Sequence, residues 1–245
     1  MHILIATPSA GGTTTVDYAR SLVAATLAII RSGGSYRHLI VDGAEIVLAR
    51  NILSQSFLLD SRCTHILFID SDMAIDQAVF EHMIQQGKPI IGAAYSERKI
   101  NLDMFAEASK DHELQTAAAL ASNFNIRMVA GEKQISNHLC PVNGFGFGCV
   151  LIKRCVFETL IQKSLVEQFR SSKLQSVIGD TTAYDFFGKI RLPSGEWLSE
   201  DYSFCERVLQ ANEFELLAYV GDGVGHVGPF RYSAPYIERL KLGKP

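Results

Sequence analysis

Little in this chain of 245 residues points to nucleic acid, to a lipid bilayer or to an oxidising compartment. Its 23 Lys and Arg are outnumbered by 26 Asp and Glu, for a net charge of -3, and no basic cluster stands out that would follow a phosphate backbone. No apolar run approaches the roughly 18 residues that a membrane-spanning helix needs. The five cysteines, Cys63, Cys140, Cys149, Cys155 and Cys205, are odd in number and lack paired metal spacing. Reduced thiols in a cytoplasmic protein are the expectation. The opening Met1-His2-Ile3-Leu4-Ile5-Ala6 has no basic leader and reads as a first strand, not a signal peptide. Neither a Walker loop nor G-x-G-x-x-G follows it, so those two phosphate-cradling turns are missing. No internal repeat and no linker divides the chain.

What is present is 47% apolar and 20% charged, the composition of a globular protein with a sizeable core. Strands are expected at Ile3–Ala6, Leu39–Val41 and Ile66–Ile69, separated by helices from about Thr14 to Arg31 and Ala44 to Leu59. That alternation predicts an α/β fold, a Rossmann-like domain with a mostly parallel central sheet flanked by helices. A helix at Gln77–Gln86 and a strand at Pro89–Ala94 continue it, followed by a polar loop, Tyr95 to Lys99. Residues 100–140 are hard to read; a helix around Asp111–Ala121 and a strand around Ile126–Val129 are the expectation. Asn143-Gly144-Phe145-Gly146-Phe147-Gly148 alternates glycine with aromatics ahead of the apolar run Cys149–Ile152. Glycine in a strand marks a bulge or the close approach of another group. A helix at Lys153–Gln162, a loop with short elements over 171–193 that include Tyr184-Asp185-Phe186-Phe187, a helix from Ser199 to about Ala211 and a strand at Phe214–Val220 complete the pattern.

The stretch Thr64-His65-Ile66-Leu67-Phe68-Ile69-Asp70-Ser71-Asp72-Met73 dominates the chemistry. Ile66–Ile69 has the makeup of a strand buried on both faces, and carboxylates follow at alternate positions where it emerges. Ligands of open α/β sheets sit at the carboxyl ends of strands. Asp70 and Asp72 therefore read as oxygen ligands for Mg²⁺ or Mn²⁺ carrying a diphosphate. The plainer alternative is a polar turn in which a carboxylate bonds its own backbone. Glu200 and Asp201 could supply a base, or simply complement a helix N-terminus behind Ser199. His226, in the loop Gly221–Gly228, could be a metal ligand or a solvated side chain. Departure of a nucleoside diphosphate needs a cation, and an attacking hydroxyl needs a proton acceptor.

Together these stretches resemble glycosyltransferases of the GT-A fold, the small bacterial and viral family-2-like group. Thr7-Pro8 and Arg50-Asn51 are similar to that group's nucleotide-contacting positions, and Asp70-Ser71-Asp72 to its metal-binding D-x-D. Gly144-Phe145-Gly146 and the strand after it resemble the group's acceptor-side strand. Phe186-Phe187 and Ser199-Glu200-Asp201 resemble its aromatic pair and acidic helix start, and His226-Val227-Gly228 its late metal-ligand histidine. The resemblance implies one glycosyltransferase domain, with residues 1–99 holding the nucleotide and 100–245 the acceptor. It implies a UDP- or GDP-linked sugar donor, a carbohydrate or other hydroxyl acceptor, Mn²⁺ or Mg²⁺, Asp201 as base with Glu200 beside it, and inversion at the sugar carbon. Nucleic acid and a transmembrane segment are not expected, and a homo-oligomer is allowed. Two other readings stay open: a haloacid-dehalogenase-like phosphatase with Asp70 as nucleophile, and a non-catalytic nucleotide-sugar-binding protein.

Overall fold

The computed structural model describes residues 1–131 and 135–243. Its first strands and helices alternate: β1 (His2–Ser9), α1 (Val16–Arg31), β2 (Ser35–Asp42), α2 (Ile46–Leu59), β3 (His65–Ile69). A short β4 (Met73–Ile75), α3 (Gln77–Gln86), β5 (Ile90–Ala93) and β6 (Ser96–Ile100) follow. The poorly legible region holds α4 (Leu102–Ala108), α5 (Leu114–Ala121), β7 (Ser122–Phe124) and β8 (Ile126–Met128). Next come β9 (Leu139–Phe145), β10 (Cys149–Lys153), α6 (Arg154–Gln162), β11 (Gln168–Phe169), α7 (Ser172–Ile178) and β12 (Ala183–Tyr184). The chain closes with α8 (Glu200–Ala211), β13 (Leu217–Tyr219), β14 (Val224–Val227), β15 (Arg231–Ser233) and α9 (Tyr236–Lys241).

The central sheet has eight strands in the order β2-β1-β3-β10-β5-β13-β9-β8. β1 is parallel to β2 and β3, and β5 is parallel to β13. β10 and β9 run against their neighbours, so the sheet is mostly parallel in strand direction with two reversed members. The uninterrupted apolar run of β3 follows from its position. Ile66 and Phe68 enter the core on one face, with α2, α6 and α8 residues, while Leu67 and Ile69 enter the core on the other, with residues of α1 and α3. Side chains alternate along a strand, so a strand covered on both faces has no polar set.

Three expectations needed revision. The polar stretch Tyr95–Lys99 is not a loop throughout, because β6 pairs antiparallel with β7. The helix around Asp111–Ala121 proves to be the second member of a pair: α4 lies before it, and α5 begins only at Leu114. The loop around His226 contains β14, which joins β15 on one side and β4 on the other. The β6–β7 and β14–β4 pairings are set by distant segments, which local periodicity does not report.

Candidate functional site

Asp70 and Asp72 leave β3 at its carboxyl end and part company at once. The Asp70 N–H donates to the Gly148 carbonyl at 3.0 Å, and the Asp72 carbonyl accepts from the Val227 N–H at 2.8 Å. These backbone bonds fix the turn between β10 on one side and β14 on the other. The Ser71 carbonyl accepts from the Thr15 N–H at 3.0 Å, tying the start of α1 to the same turn.

Asp70 faces Arg50. The guanidinium grips it with both forks, Nη1 to Oδ1 at 3.1 Å and Nη2 to Oδ2 at 3.2 Å. The same Nη2 stands 3.3 Å from Asp201 Oδ1, at the start of α8. Arg50 is only 2% exposed, while Asp70 keeps 23% and Asp201 17% of their side-chain surface. The cation is therefore interior, and the two carboxylates it holds are mostly buried, with a small part of each reaching the surface. Phe147 lies 5.4 Å from the guanidinium, and Phe68 and Phe187 lie at 5.9 Å each, so aromatic rings complete the box. Arg50 thus anchors the carboxylates in this structure.

The electrostatics follow from two acids sharing one base in a dry place. Burial pushes Asp201 up from an ordinary 3.8 to about 7; Arg50 opposes the rise, and the neighbouring charges of Glu200 and Asp70 add to it. Asp70 is likewise raised, first by burial, with Arg50 pulling against it. The buried Asp201 Oδ1 makes no hydrogen bond beyond the 3.3 Å ion pair with Arg50, and Ser199 caps α8 without a side-chain hydrogen bond. Asp201 therefore shares Arg50 with Asp70 on less complete terms than Asp70, which takes both forks of the guanidinium.

Asp72 belongs to a second cluster. Its Oδ2 accepts from Arg98 Nη1 at 3.0 Å and lies 3.3 Å from His226 Nε2. The other ring nitrogen of His226 is 3.3 Å from the Ser96 carbonyl, and Tyr95 meets the ring edge-on at 5.2 Å. Burial works against the Asp72 charge, but the His226 hydrogen bond, the charge on that ring and Arg98 outweigh it and hold the carboxyl below its usual range.

Asn51, next to Arg50, is also interior. Its Nδ2 donates to Asp185 at 2.6 Å, and its Oδ1 accepts the Phe187 N–H at 3.2 Å. It pins the segment that delivers Phe186 and Phe187, and Phe187 stacks on Phe204 of α8 at 5.0 Å. Thr7 is buried in β1, with its hydroxyl 2.7 Å from the Tyr18 hydroxyl, and Tyr18 reaches His38 Nε2 at 3.0 Å. Pro8 lies in the same strand, in register with Val41.

The glycines are spaces for rings. A Cβ on Gly144 would stand 2.7 Å from the Tyr202 ring, and one on Gly146 would run into the Tyr95 hydroxyl. Gly148 leaves room for both Tyr95 and Met73, and the Phe145 ring covers Gly92. Gly148 also donates its N–H to the Tyr95 hydroxyl at 3.3 Å. The alternation of glycine and aromatic therefore packs Tyr95 beside the carboxylates.

The residues bear on the metal question as follows. Asp72 and His226 offer an oxygen and a nitrogen 3.3 Å apart on a part-exposed surface, a donor pair suited to a cation that also takes phosphate and water. Both Asp70 oxygens are committed to Arg50. Among the described residues, Asp70, Asp72 and His226 do not gather three ligand atoms within 4.8 Å; the set that does is His2, Asp60 and Cys63. That set lies at the amino end of β1 and β3, and Arg62 already grips Asp60 there at 2.9 Å on each oxygen. The fit is thus a pair, Asp72 and His226, with Asp70 as a neighbour.

Four residues of this region escaped the sequence: Arg98, Tyr95, Asp185 and Phe147. Arg98 and Tyr95 follow the carboxyl end of β5, and that position was the available signal.

The arrangement defines a mixed α/β protein with a carboxylate–arginine cluster at the carboxyl edge of its sheet. No family model and no curated protein sequence matches the chain. Among solved structures it is similar to A197 from STIV, at 17% identity over 93% of this chain and 86% of that one, with a TM-score of 0.47. A glycosyltransferase involved in the glycosylation of the major capsid of PBCV-1 matches at 11% identity over 67% of this chain and 65% of its own, with a TM-score of 0.34. A CMP:2-keto-3-deoxy-manno-octonic acid synthetase complexed with CTP matches at 10% identity over 99% of both chains, with a TM-score of 0.42.

Proposed function

We propose that the protein transfers a sugar from a UDP- or GDP-linked donor to a hydroxyl acceptor, with a divalent cation. The observation that carries this reading is the pair of carboxylates, Asp70 and Asp201, brought from β3 and α8 onto one buried Arg50, with Asp72 and His226 beside them. Asp72 and His226 would hold Mn²⁺ or Mg²⁺, which when bound neutralises charge on the departing diphosphate. Asp201 is the base: as the acceptor oxygen bonds to the sugar, its proton passes to Asp201 and the sugar–phosphate bond breaks. A carboxyl raised to about 7 suits that task, because a base works best when its affinity for the proton is near the working pH. Arg50 keeps both acids oriented without itself facing solvent. Residues 1–99 hold the nucleotide, and those from 100 onward shape the acceptor side, with Gly144, Phe145 and Gly146 packing its aromatic wall. Attack without a covalent enzyme intermediate inverts the sugar carbon.

The phosphatase alternative needs Asp70 as a free nucleophile. Two-forked engagement by Arg50 leaves neither oxygen unengaged, and this disfavours it. Among the described residues no helix is long and apolar enough to cross a membrane.

The test is a donor panel. Titration calorimetry of UDP- and GDP-sugars with and without Mn²⁺ should find one that binds only with the metal, and Asp72→Ala should abolish that binding while the fold persists. Metal-independent binding, or wild-type affinity in Asp72→Ala, would remove the cation from the site.

A further inference from the structure

A groove of about 550 Å³ has Arg98, the partner of Asp72, in its wall. Arg98, Lys99 and Arg231 line it together with Ile100, Leu102 and Phe230. Two features are unusual for an idle surface. The apolar members are bare, Leu102 at 70% and Phe230 at 72% exposure. Two of the cations also lie close over bare backbone: a Cβ on Gly228 would stand 3.0 Å from Arg98 Cδ, and one on Gly225 would stand 2.9 Å from Arg231 Nε. The glycines on either side of His226 thus leave room for two arginine stems, one directed at Asp72 and the other 4.0 Å from Asp17. Lys99 has no carboxylate at ion-pair distance among the described residues.

We propose that this groove binds a phosphate carried on an apolar group, and that such a molecule is the acceptor. The phosphate lies against Arg231 and Lys99, within reach of Arg98, and the apolar portion lies along Ile100, Leu102 and Phe230. Guanidinium groups pair with phosphate oxygens two at a time, which favours phosphate over a diffuse negative charge. Bare leucine and phenylalanine next to those cations call for an apolar segment attached to the anion, which a small inorganic ion lacks. Arg98 both lines the groove and pairs with Asp72, so a ligand bound there shares that guanidinium with the carboxylate site. The assignment of this molecule as acceptor rests on the transferase reading above; its binding does not.

Decyl phosphate, held below its micelle concentration, is the probe, read by calorimetry on the full chain without donor. Saturable one-to-one binding is expected, with inorganic phosphate and a neutral decyl glycoside each about tenfold weaker or worse. Arg231→Gln and Phe230→Ala alter exposed side chains and should leave the melting temperature in place while weakening decyl phosphate about tenfold each. Equal affinity for the neutral glycoside, or unchanged affinity in both variants, would overturn the proposal. So would association with anionic phospholipid vesicles alone, which would make the groove a membrane-docking surface. The donor panel is independent: decyl phosphate binding without any donor binding would retain the groove and sink the transferase, and the converse would retain the transferase with another acceptor.

Discussion

Replacing Asp201 by Asn should make the protein more stable at pH 8 and less active, and the two effects have one cause. In the folded chain the Asp201 carboxyl is buried next to Glu200 and Asp70, and it is pushed up to about 7 despite Arg50. In the unfolded chain it loses its proton near an ordinary 3.8. Between those values the unfolded state has released a proton that the folded state retains. Wild-type stability from this group therefore falls as pH rises from about 4 to about 7. At about 1.4 kcal/mol per pH unit, the gap sets a ceiling of about 4 kcal/mol. Asparagine imitates the protonated acid at every pH. The variant should match wild type near pH 4 and exceed it by about 2–4 kcal/mol at pH 8, read from urea midpoints across that range.

Its transfer rate should fall by roughly 10²–10⁴, the usual worth of a positioned base, with donor and metal affinity nearly unchanged. The opposing account makes Asp201 a charge that complements the N-terminus of α8. Neutralising it would then cost about 0.3–1 kcal/mol at pH 8 and leave turnover intact. An Asn variant that is no more stable than wild type at pH 8 refutes the burial argument. One that also turns over normally removes Asp201 from the chemistry.

Two further outcomes follow from the same packing. Arg50→Met removes a cation that is only 2% exposed and strands two acids, so it should cost about 3–5 kcal/mol at pH 8; adding Asp201→Asn should restore part of that loss, and a simple sum of the two single effects in the double variant would show that Asp201 does not share the guanidinium. Gly146→Ala drives a methyl into the Tyr95 hydroxyl and should cost about 1–3 kcal/mol, whereas Gly146→Ala in a Tyr95→Phe background should cost clearly less; equal costs in thermal melts would show that Tyr95 is not what Gly146 accommodates.

The parts of this architecture that depend on neighbours along the chain were readable, and those that depend on distant segments were not. β3 announced itself because burial on both faces leaves Ile66, Leu67, Phe68 and Ile69 all apolar, and the acids mark where cover ends. Arg50 and Asn51 were harder, since a helical arginine usually faces water. A signal was available: apolar residues occur all round α2, and a helix of that kind is buried, so any charge within it must be paired. Taken that way, Arg50 requires interior acids, and Asp70 and Asp201 are among the candidates. β6 gave no comparable sign. Glu97, Arg98 and Lys99 have the makeup of a loop, and only β7, with α4 and α5 intervening, makes the stretch a strand.

The glycines carry that distinction furthest. In Gly144-Phe145-Gly146-Phe147-Gly148 their spacing shows that something approaches closely, but the occupants are Tyr202 and Tyr95, supplied by α8 and by the segment after β5. Gly225 and Gly228 use the same device, with Arg231 and Arg98 as occupants. A missing Cβ is a local fact and the group that fills its place is a tertiary one. That is why carboxylates such as Asp70, Asp72 and Asp201 stand out in the sequence by type and spacing, whereas the position of Arg98 after β5 hints at a site but its partner Asp72 and the groove beside it emerge only in the folded chain.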